Sequence, residues 1–445
     1  MRDRRSTAST RDVGTTHLAV SVAGAVNTAN ARKPLRATGA GGLLGFFPGW
    51  LTSELPLHTI AWQVLATFFF AGRGSLRTAR GRLGLIISAG SWYALVQIWK
   101  QSMVADAVFD AALREGLGDE LDEGESPLPI TDDVEPVKHN VPAGPLPSAP
   151  VVLSRRRILS GPVSMKHRRY QATRAISYGA AGRRNELDVW RRPDLPLGAG
   201  APVLVQVHGG GWVIGNKDQQ ALPLLTHMAQ AGWVCVAINY RLSPRATWPD
   251  QIVDVKRALA WVKDNIAEYG GDPDFVCITG GSAGGHLSSL AALSPNEPEF
   301  QPGFEAADTS VRAAVPFYGI YDFVNRERTG PVDMEDFLAR AVFKSTPAEA
   351  PSVWEHASPT SWVGPQAPPF FVIHGDNDTL APIGQAREFV EKLRAESKHP
   401  VAFAELPGTQ HAFDVFDSPR TIYSTNAVHR FLEAIRVREG HTTNV

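Results

Sequence analysis

The sequence predicts an α/β fold: a doubly wound, mostly parallel sheet with an apolar helical region in front of it. Three observations predict it. From about residue 165 onward, short Val-, Ile- and Phe-rich runs alternate with longer helical segments, as strands and helices do in a parallel sheet. Several runs are continuously apolar, which suits strands covered on both faces. Short motifs, two of them glycine-rich, follow on three of these runs, at the edge of the sheet where such folds place their chemistry.

The chain opens differently. Residues 1 to about 40 are rich in Arg, Thr, Ser and Ala without strong periodicity, and a disordered basic arm is expected. Arg2, Arg4, Arg5 and Arg11, then Leu18–Val26, then Ala29-Asn30-Ala31 form a diluted secretory pattern. Residues 41–115 are apolar and helical in pattern. Leu57–Ala71, which includes Phe68-Phe69-Phe70, and Leu83–Trp99 are its two long runs. Each is shorter than the roughly 20 residues that cross a bilayer. The connector Arg73–Arg82 carries four arginines and no acid. A two-span hairpin would put the basic arm and this connector on opposite sides, against the positive-inside tendency. Three readings stay open for residues 43–113: a helical cap on the α/β domain, an element contacting the membrane surface, or spanning helices. The corresponding location is the membrane or cell envelope, with the cytoplasm as the alternative.

A charged, Pro-rich linker spans residues 116–164. Glu115–Glu135 holds nine acids and no Lys or Arg, Val141–Pro150 is Pro-rich, and Arg155–Arg184 holds nine basic residues and no acid. The two blocks read as solvated stretches, or as partners that dock the N-terminal region and loosen in salt.

Residues 165–445 form the catalytic domain. Tyr170–Tyr178 and Asn185–Trp190 read as an opening strand pair. Further strands are expected at Pro202–Val207, Trp233–Asn239, Phe275–Thr279, Ala313–Tyr318, Pro369–Ile373 and Val401–Leu406. Helices are expected at Gln219–Ala231, Gln251–Tyr269, Ala283–Leu293, Ile383–Ser397 and Ser424–Val437. Asp322–Gly364 is too long for a plain connection and is expected to form a lid or pocket wall.

The motifs divide the chemistry among them. Ser282 sits in Gly280-Gly281-Ser282-Ala283-Gly284, between an apolar strand and a helical run. The glycines permit the sharp turn that exposes a nucleophile at the sheet's carboxyl edge. A serine hydroxyl needs an adjacent base, and His411, in a loop after the last strand, is placed to supply it. The base needs an acid to hold its tautomer, for which Asp376 and Asp378 compete after the strand Pro369–Ile373. His208-Gly209-Gly210-Gly211-Trp212 follows the strand Pro202–Val207. Backbone N–H groups of Gly210 and Gly211, with that of Ala283, can approach a developing oxyanion closely. No Gly-Lys-Ser/Thr follows this run, so a phosphate loop is rejected. His208 is expected to brace the loop and His286 to pack or hydrogen-bond. Trp212 and Phe413 are candidate substrate-pocket residues, and with Phe317, Tyr318 and Phe416 they suggest an apolar acyl site.

Residues about 165–437 resemble the hormone-sensitive-lipase-like branch of α/β-hydrolase carboxylesterases. The matching pieces are His208–Trp212, Asn239-Tyr240-Arg241-Leu242-Ser243-Pro244, Gly280–Gly285, His374–Asp378 with Pro382, and His411. In that family's His-Gly-x-x-Asp pattern the acid is the fifth residue, so the resemblance selects Asp378 and leaves Asp376 to shape the turn. Gly281 stands where an acid often precedes the nucleophile, and Ser243 where alanine is frequent. The whole chain resembles actinobacterial lipase/esterase-type proteins, more loosely in its N-terminal region. The resemblance implies an esterase or lipase that cleaves short-to-medium acyl esters through an acyl-enzyme on Ser282. An amidase or aryl formamidase on the same triad is the alternative, and a non-catalytic ligand-binding homologue the rival from another class. The partner expected is a small-molecule or lipid ester, with no metal or organic cofactor.

The bulk numbers narrow the field. With 44 basic and 45 acidic residues, the 445-residue chain has a net charge of -1, which argues against nucleic acid as a partner. Cys235 and Cys277 both lie in apolar runs and read as small buried strand residues. Acyl length, alcohol and oligomeric state are not legible.

Overall fold

A computed structural model describes residues 2–35, 39–118, 170–331 and 333–440. Five helices come first: α1 (Arg2–Arg32), α2 (Gly39–Glu54), α3 (Pro56–Gly72), α4 (Ala79–Met103) and α5 (Ala105–Leu117). The chain resumes with an antiparallel pair, β1 (Gln171–Ser177) and β2 (Glu186–Trp190). Then follow β3 (Ala201–Val207), α6 (Leu222–Gln230), β4 (Val234–Ile238), α7 (Asp250–Asn265), β5 (Gly271–Gly281) and α8 (Ala283–Leu293). The last part runs β6 (Ala313–Phe317), α9 (Met334–Leu338), α10 (Pro351–Ala357), β7 (Phe370–Gly375), α11 (Gly384–Glu396), β8 (Val401–Leu406) and α12 (Pro419–Arg438).

The eight strands form one sheet in the order β1-β2-β4-β3-β5-β6-β7-β8. All pairs from β4 to β8 are parallel, while β1–β2 and β2–β4 are antiparallel. After β3 the chain moves outward to β4, then returns to the other side of β3 as β5. That reversal puts the carboxyl ends of β3 and β5 side by side, the topological switch point where doubly wound sheets hold ligands. β3, β4, β6 and β7 are buried along their whole length. One core packs on each face: Val203, Val205, Ile278 and Phe370 contribute to the first, Leu204, Cys235, Cys277 and Phe371 to the second.

The N-terminal segment departs from expectation. Residues 1–40 were expected as a disordered arm, yet Arg2–Arg32 is one 31-residue helix. Its physical basis is close packing through small side chains. Gly14, His17, Ser21, Gly24 and Thr28 are buried at alternating steps of three and four residues, and Ser21 and Thr28 hydrogen-bond to Ser88 and Ser91 of α4 at 3.0 and 2.8 Å. A hydrophobic-periodicity reading does not register a face made of Gly, Ser and Thr. The acidic and basic linker blocks fall largely in residues 119–169, outside the described residues.

This helical region is joined to the catalytic domain along the β8 side of the sheet. Phe109 of α5 meets Phe371 of β7 edge-on at 6.3 Å, and Gly116 lies directly against Ala402 of β8. At the end of α2, Glu54 and Arg420 form a fully buried ion pair at 3.0 Å. Replacing one member of such a pair leaves an uncompensated buried charge.

Candidate active site

Ser282 stands between the end of β5 and the start of α8 with φ 57° and ψ −121°. A non-glycine residue in that region is strained, and here the strain follows from reversing the chain between a strand and a helix. The turn closes only because its neighbours lack side chains. A Cβ on Gly284 would strike the carbonyls of Val207 and His208, and one on Gly285 would come 2.7 Å from the Phe317 carbonyl. The Ser282 N–H donates to the carbonyl of Phe317 at 3.0 Å, which ties the elbow to β6. At the far end of α8, the buried Lys256 ammonium donates to the carbonyls of Ala291, at 3.1 Å, and Ser294. Burial draws that amine down to about 7.

The glycine loop lies against Ser282: a Cβ on Gly209 would sit 3.1 Å from the Ser282 Cβ. Gly210 and Gly211 adopt φ 120° and 57°, which turns the loop back so that Val213 and Ile214 donate to the Gly210 carbonyl. The Gly209 N–H is taken by Gln220 Oε1 at 2.6 Å. Among the described residues the N–H groups of Gly210 and Gly211 make no such bond, and Ala283 opens α8, where an N–H has no helical acceptor. His208 braces the loop from beneath. Its ring stacks on Tyr240 at 4.3 Å, and Tyr240 donates its hydroxyl to the His208 carbonyl. Burial lowers the His208 imidazole to about 4, so it is neutral at pH 7.

Asp378 and His411 come together from the loops after β7 and β8. His411 Nδ1 is 2.6 Å from Asp378 Oδ2. The other carboxylate oxygen accepts from the N–H groups of Leu380 and Ala381 at 2.9 and 2.7 Å. Burial pushes the Asp378 carboxyl up, but His411 and the nearby His374 outweigh it and hold the group well below the usual carboxylate range. Asp376 has a different partner: its Oδ1 accepts from the Gly408 N–H at 2.7 Å and pins the loop of His411 to the loop of Asp378. Gln410 ties the same two loops, accepting from the N–H groups of Thr379 and His411 at 2.9 Å each.

Tyr318 links the two halves of the site. Its hydroxyl lies 2.6 Å from where a Cβ on Gly281 would project, and its ring centroid is 4.6 Å from that of His411. This explains the glycine before Ser282: the space a side chain at 281 would need is taken by Tyr318. The Tyr318 hydroxyl donates to the half-buried carboxylate of Asp414, whose pKa is raised by its withdrawal from water. No hydrogen bond joins the Ser282 hydroxyl to His411 among the described residues. Contacts of this kind tighten when substrate binds.

Two pocket expectations are corrected. Trp212 is only 2% exposed, and Phe413 is fully buried. With φ 62°, Trp212 turns into the core and its indole donates to His286 Nδ1 at 3.1 Å. The other nitrogen of His286 then carries the proton and donates to the Ala357 carbonyl at 2.8 Å. Phe413 packs between Phe317 and Tyr318. The apolar side chains beside the glycine loop are instead Ile214, 3.1 Å from where a Gly210 Cβ would lie, and Phe337 of α9, 3.6 Å from where a Gly211 Cβ would lie. Phe337 comes from the Asp322–Gly364 insertion.

Trp50 is a residue that sequence reasoning missed. Its indole N–H donates to the carbonyl of Ala412 at 3.0 Å, one residue past His411, and its ring meets Phe416 at 4.6 Å. No local motif marks it, because its partner lies 362 positions away. A cavity of about 720 Å³ lined by Tyr170, Thr173, Arg191, Leu195 and Tyr269 sits beside β1 and contains none of these groups.

The family described as BD-FAE matches residues 191–393. "Probable carboxylic ester hydrolase LipM" of Mycobacterium tuberculosis is 47% identical over 418 residues, 94% of this chain and 93% of its own. "Esterase LipQ" of the same organism is 44% identical over 93% of this chain and 90% of its own. A solved thermophilic esterase from Thermogutta terrifontis shares the fold, with a TM-score of 0.50 at 22% identity over 62% of this chain and 97% of that one. The chain therefore belongs to the hormone-sensitive-lipase-like carboxylesterase family, and it is a carboxylic ester hydrolase.

Proposed function

We propose that this hydrolase cleaves short-to-medium acyl esters through an acyl-enzyme on Ser282. The observation that carries the reading is the buried 2.6 Å contact between Asp378 and His411, beside a serine held in a strained turn. Asp378 fixes the tautomer in which Nδ1 holds the proton, leaving Nε2 to accept one. His411 takes the Ser282 proton as the hydroxyl attacks the ester carbonyl. The N–H groups of Gly210, Gly211 and Ala283 receive the oxyanion, each supplying roughly 3–4 kcal/mol of transition-state stabilisation. His411 then protonates the departing alcohol. Water, activated by the same imidazole, releases the acid and restores the serine.

The acyl preference rests on the residues beside the glycine loop. Phe337 and Ile214 are partly or largely exposed there, an apolar rim suited to an acyl or alcohol chain. We also place residues 43–113 against a membrane surface, a reading supported by the exposed Trp62, Phe68 and Phe69, and with it locate the enzyme at the membrane or cell envelope. A series of p-nitrophenyl esters from acetyl to palmitoyl tests the substrate reading. Turnover is expected to peak in the short-to-medium range; activity confined to palmitoyl esters, or to amides, would overturn it.

A further inference from the structure

Fourteen of the nineteen large apolar side chains exposed among the described residues lie between Val22 and Val104. The same stretch buries the opposite kind of residue. On α4 the buried positions are Gly81, Gly84, Ser88 and Ser91, followed by Leu95, Ile98 and Ser102 toward the catalytic domain; on α3 they are Pro56, Thr59, Gln63 and Thr67. Leu65 and Phe68 of α3 and Ile86 and Tyr93 of α4 point outward, each about 70% exposed. A helix bundle in water does the reverse. Small residues at close helix contacts, hydroxyls bonded across them and a large apolar exterior are the packing of helices in lipid.

The directions of the helices add a second, independent observation. Gly14 of α1 abuts Thr78, Ser21 bonds Ser88 and Thr28 bonds Ser91, so α1 and α4 run parallel. His17 stacks on Phe70 while Gly24 meets Gln63, so α3 runs antiparallel to both. The start of α1, with Arg2, Arg4, Arg5 and Arg11 in its sequence, therefore shares one end of the bundle with Arg73, Arg77, Arg80 and Arg82. Arg80 reaches Thr15 at 2.9 Å. The catalytic domain sits at the other end, where Asn377 donates to the Arg32 carbonyl and Trp50 to that of Ala412. The expected conflict with the positive-inside tendency came from counting two helices; the third removes it.

No single helix here is long and apolar enough to cross a membrane, although the pair Gly45–Glu54 and Pro56–Gly72, bent by 100°, passes by length and composition. The inward-facing Gly, Ser, Thr and Gln dilute each run taken alone. Taken together, Val13–Ala31, Pro56–Gly72 and Leu83–Trp99 contain no Asp, Glu, Lys or Arg. Their lengths of 17 to 19 residues give about 25–29 Å of helix, close to the ~30 Å hydrocarbon core. We propose that α1, α3 and α4 insert as one three-helix bilayer anchor, arginine end on the cytoplasmic face, holding the catalytic domain at the opposite face. The proposal deepens the membrane-contact reading above and rests on it.

The test uses the full-length chain in a bacterial host, with alkaline carbonate washing of membranes and impermeant maleimide on spheroplasts. The native Cys235 and Cys277 are buried, so Arg77→Cys and Lys398→Cys, both at exposed sites, report the two ends separately. The anchor predicts retention in the carbonate pellet, release by detergent, labelling of Lys398→Cys in intact spheroplasts and labelling of Arg77→Cys only after permeabilisation. Release by carbonate from membranes that hold the protein at neutral pH would overturn insertion and leave surface contact standing. Recovery in the soluble fraction, as monomer or as a dimer covering the apolar face, would overturn both. Labelling of Arg77→Cys in intact spheroplasts, or of neither variant, would overturn the orientation. Turnover of a soluble p-nitrophenyl ester, measured alongside, keeps these outcomes separate from the esterase reading.

Discussion

At the residue scale the two neighbouring aspartates divide their work. Asp378 holds the imidazole and Asp376 holds the Gly408 N–H. Asp378→Asn is expected to lower kcat on a p-nitrophenyl ester by about 10⁴, as when a triad acid can no longer enforce the tautomer. Asp376→Asn should keep turnover within about tenfold and lower stability by ~1–3 kcal/mol, the effect of a weakened buried hydrogen bond. Steady-state kinetics and urea unfolding of the two variants check this, and the reversed order would exchange the assignments. Gly281→Ala places a methyl against Tyr318 and is expected to cost about 1–3 kcal/mol through overpacking, read as a lower urea midpoint. Ser282, the glycine loop and His411 could be singled out in the sequence because each sits in a short motif after a strand. The Tyr318–Asp414 contact was not, since 96 positions separate its partners and neither residue type is diagnostic alone.

At the scale of elements, α2 acts as a strut on the loop that carries His411. Glu54 pairs with Arg420, which also donates to the carbonyls of Pro407 and Gly408. Glu54→Gln strands the Arg420 charge in a fully buried site and is expected to destabilise the fold by roughly 3–5 kcal/mol, seen in the urea midpoint. Trp50→Phe keeps the ring against Phe416 but removes the hydrogen bond to Ala412. It should lower kcat more than it raises KM, because the group displaced is the base loop. An unchanged kcat would separate α2 from catalysis. All eight strands were legible from their apolar runs, the most central ones most clearly. α1 was not, because its contact face consists of small residues whose burial depends on α4, and no hydrophobic stripe announces it.

At the scale of the whole molecule, buried histidines set the acid limit. Burial draws His208 to about 4, and His227 and His286 to about 3. As pH falls below the ordinary value of 6.5, the unfolded chain takes up protons that these folded sites refuse. Their contribution to stability is therefore complete above about 6.5 and is lost on going down toward 4 and 3. Each histidine contributes a slope on the order of 1.4 kcal/mol per pH unit in that window. Urea midpoints are expected to fall steadily from pH 7 to pH 5; a flat profile there would contradict the burial of these rings. Sheet order, the switch point between β3 and β5 and the sequence of motifs at the carboxyl edge belong to this scale as well. They were legible as a set, because a parallel sheet delivers successive loops to one edge.

The central claim, that Ser282 is the nucleophile served by His411 and Asp378, is tested most directly by mapping covalent modification with a fluorophosphonate. Peptide mass analysis should find one adduct per chain, on Ser282, absent in Ser282→Ala and formed far more slowly in His411→Ala. The same Ser282→Ala protein should lose on the order of 10⁶ in turnover. An adduct on another residue, or an undiminished rate in Ser282→Ala, would contradict the account.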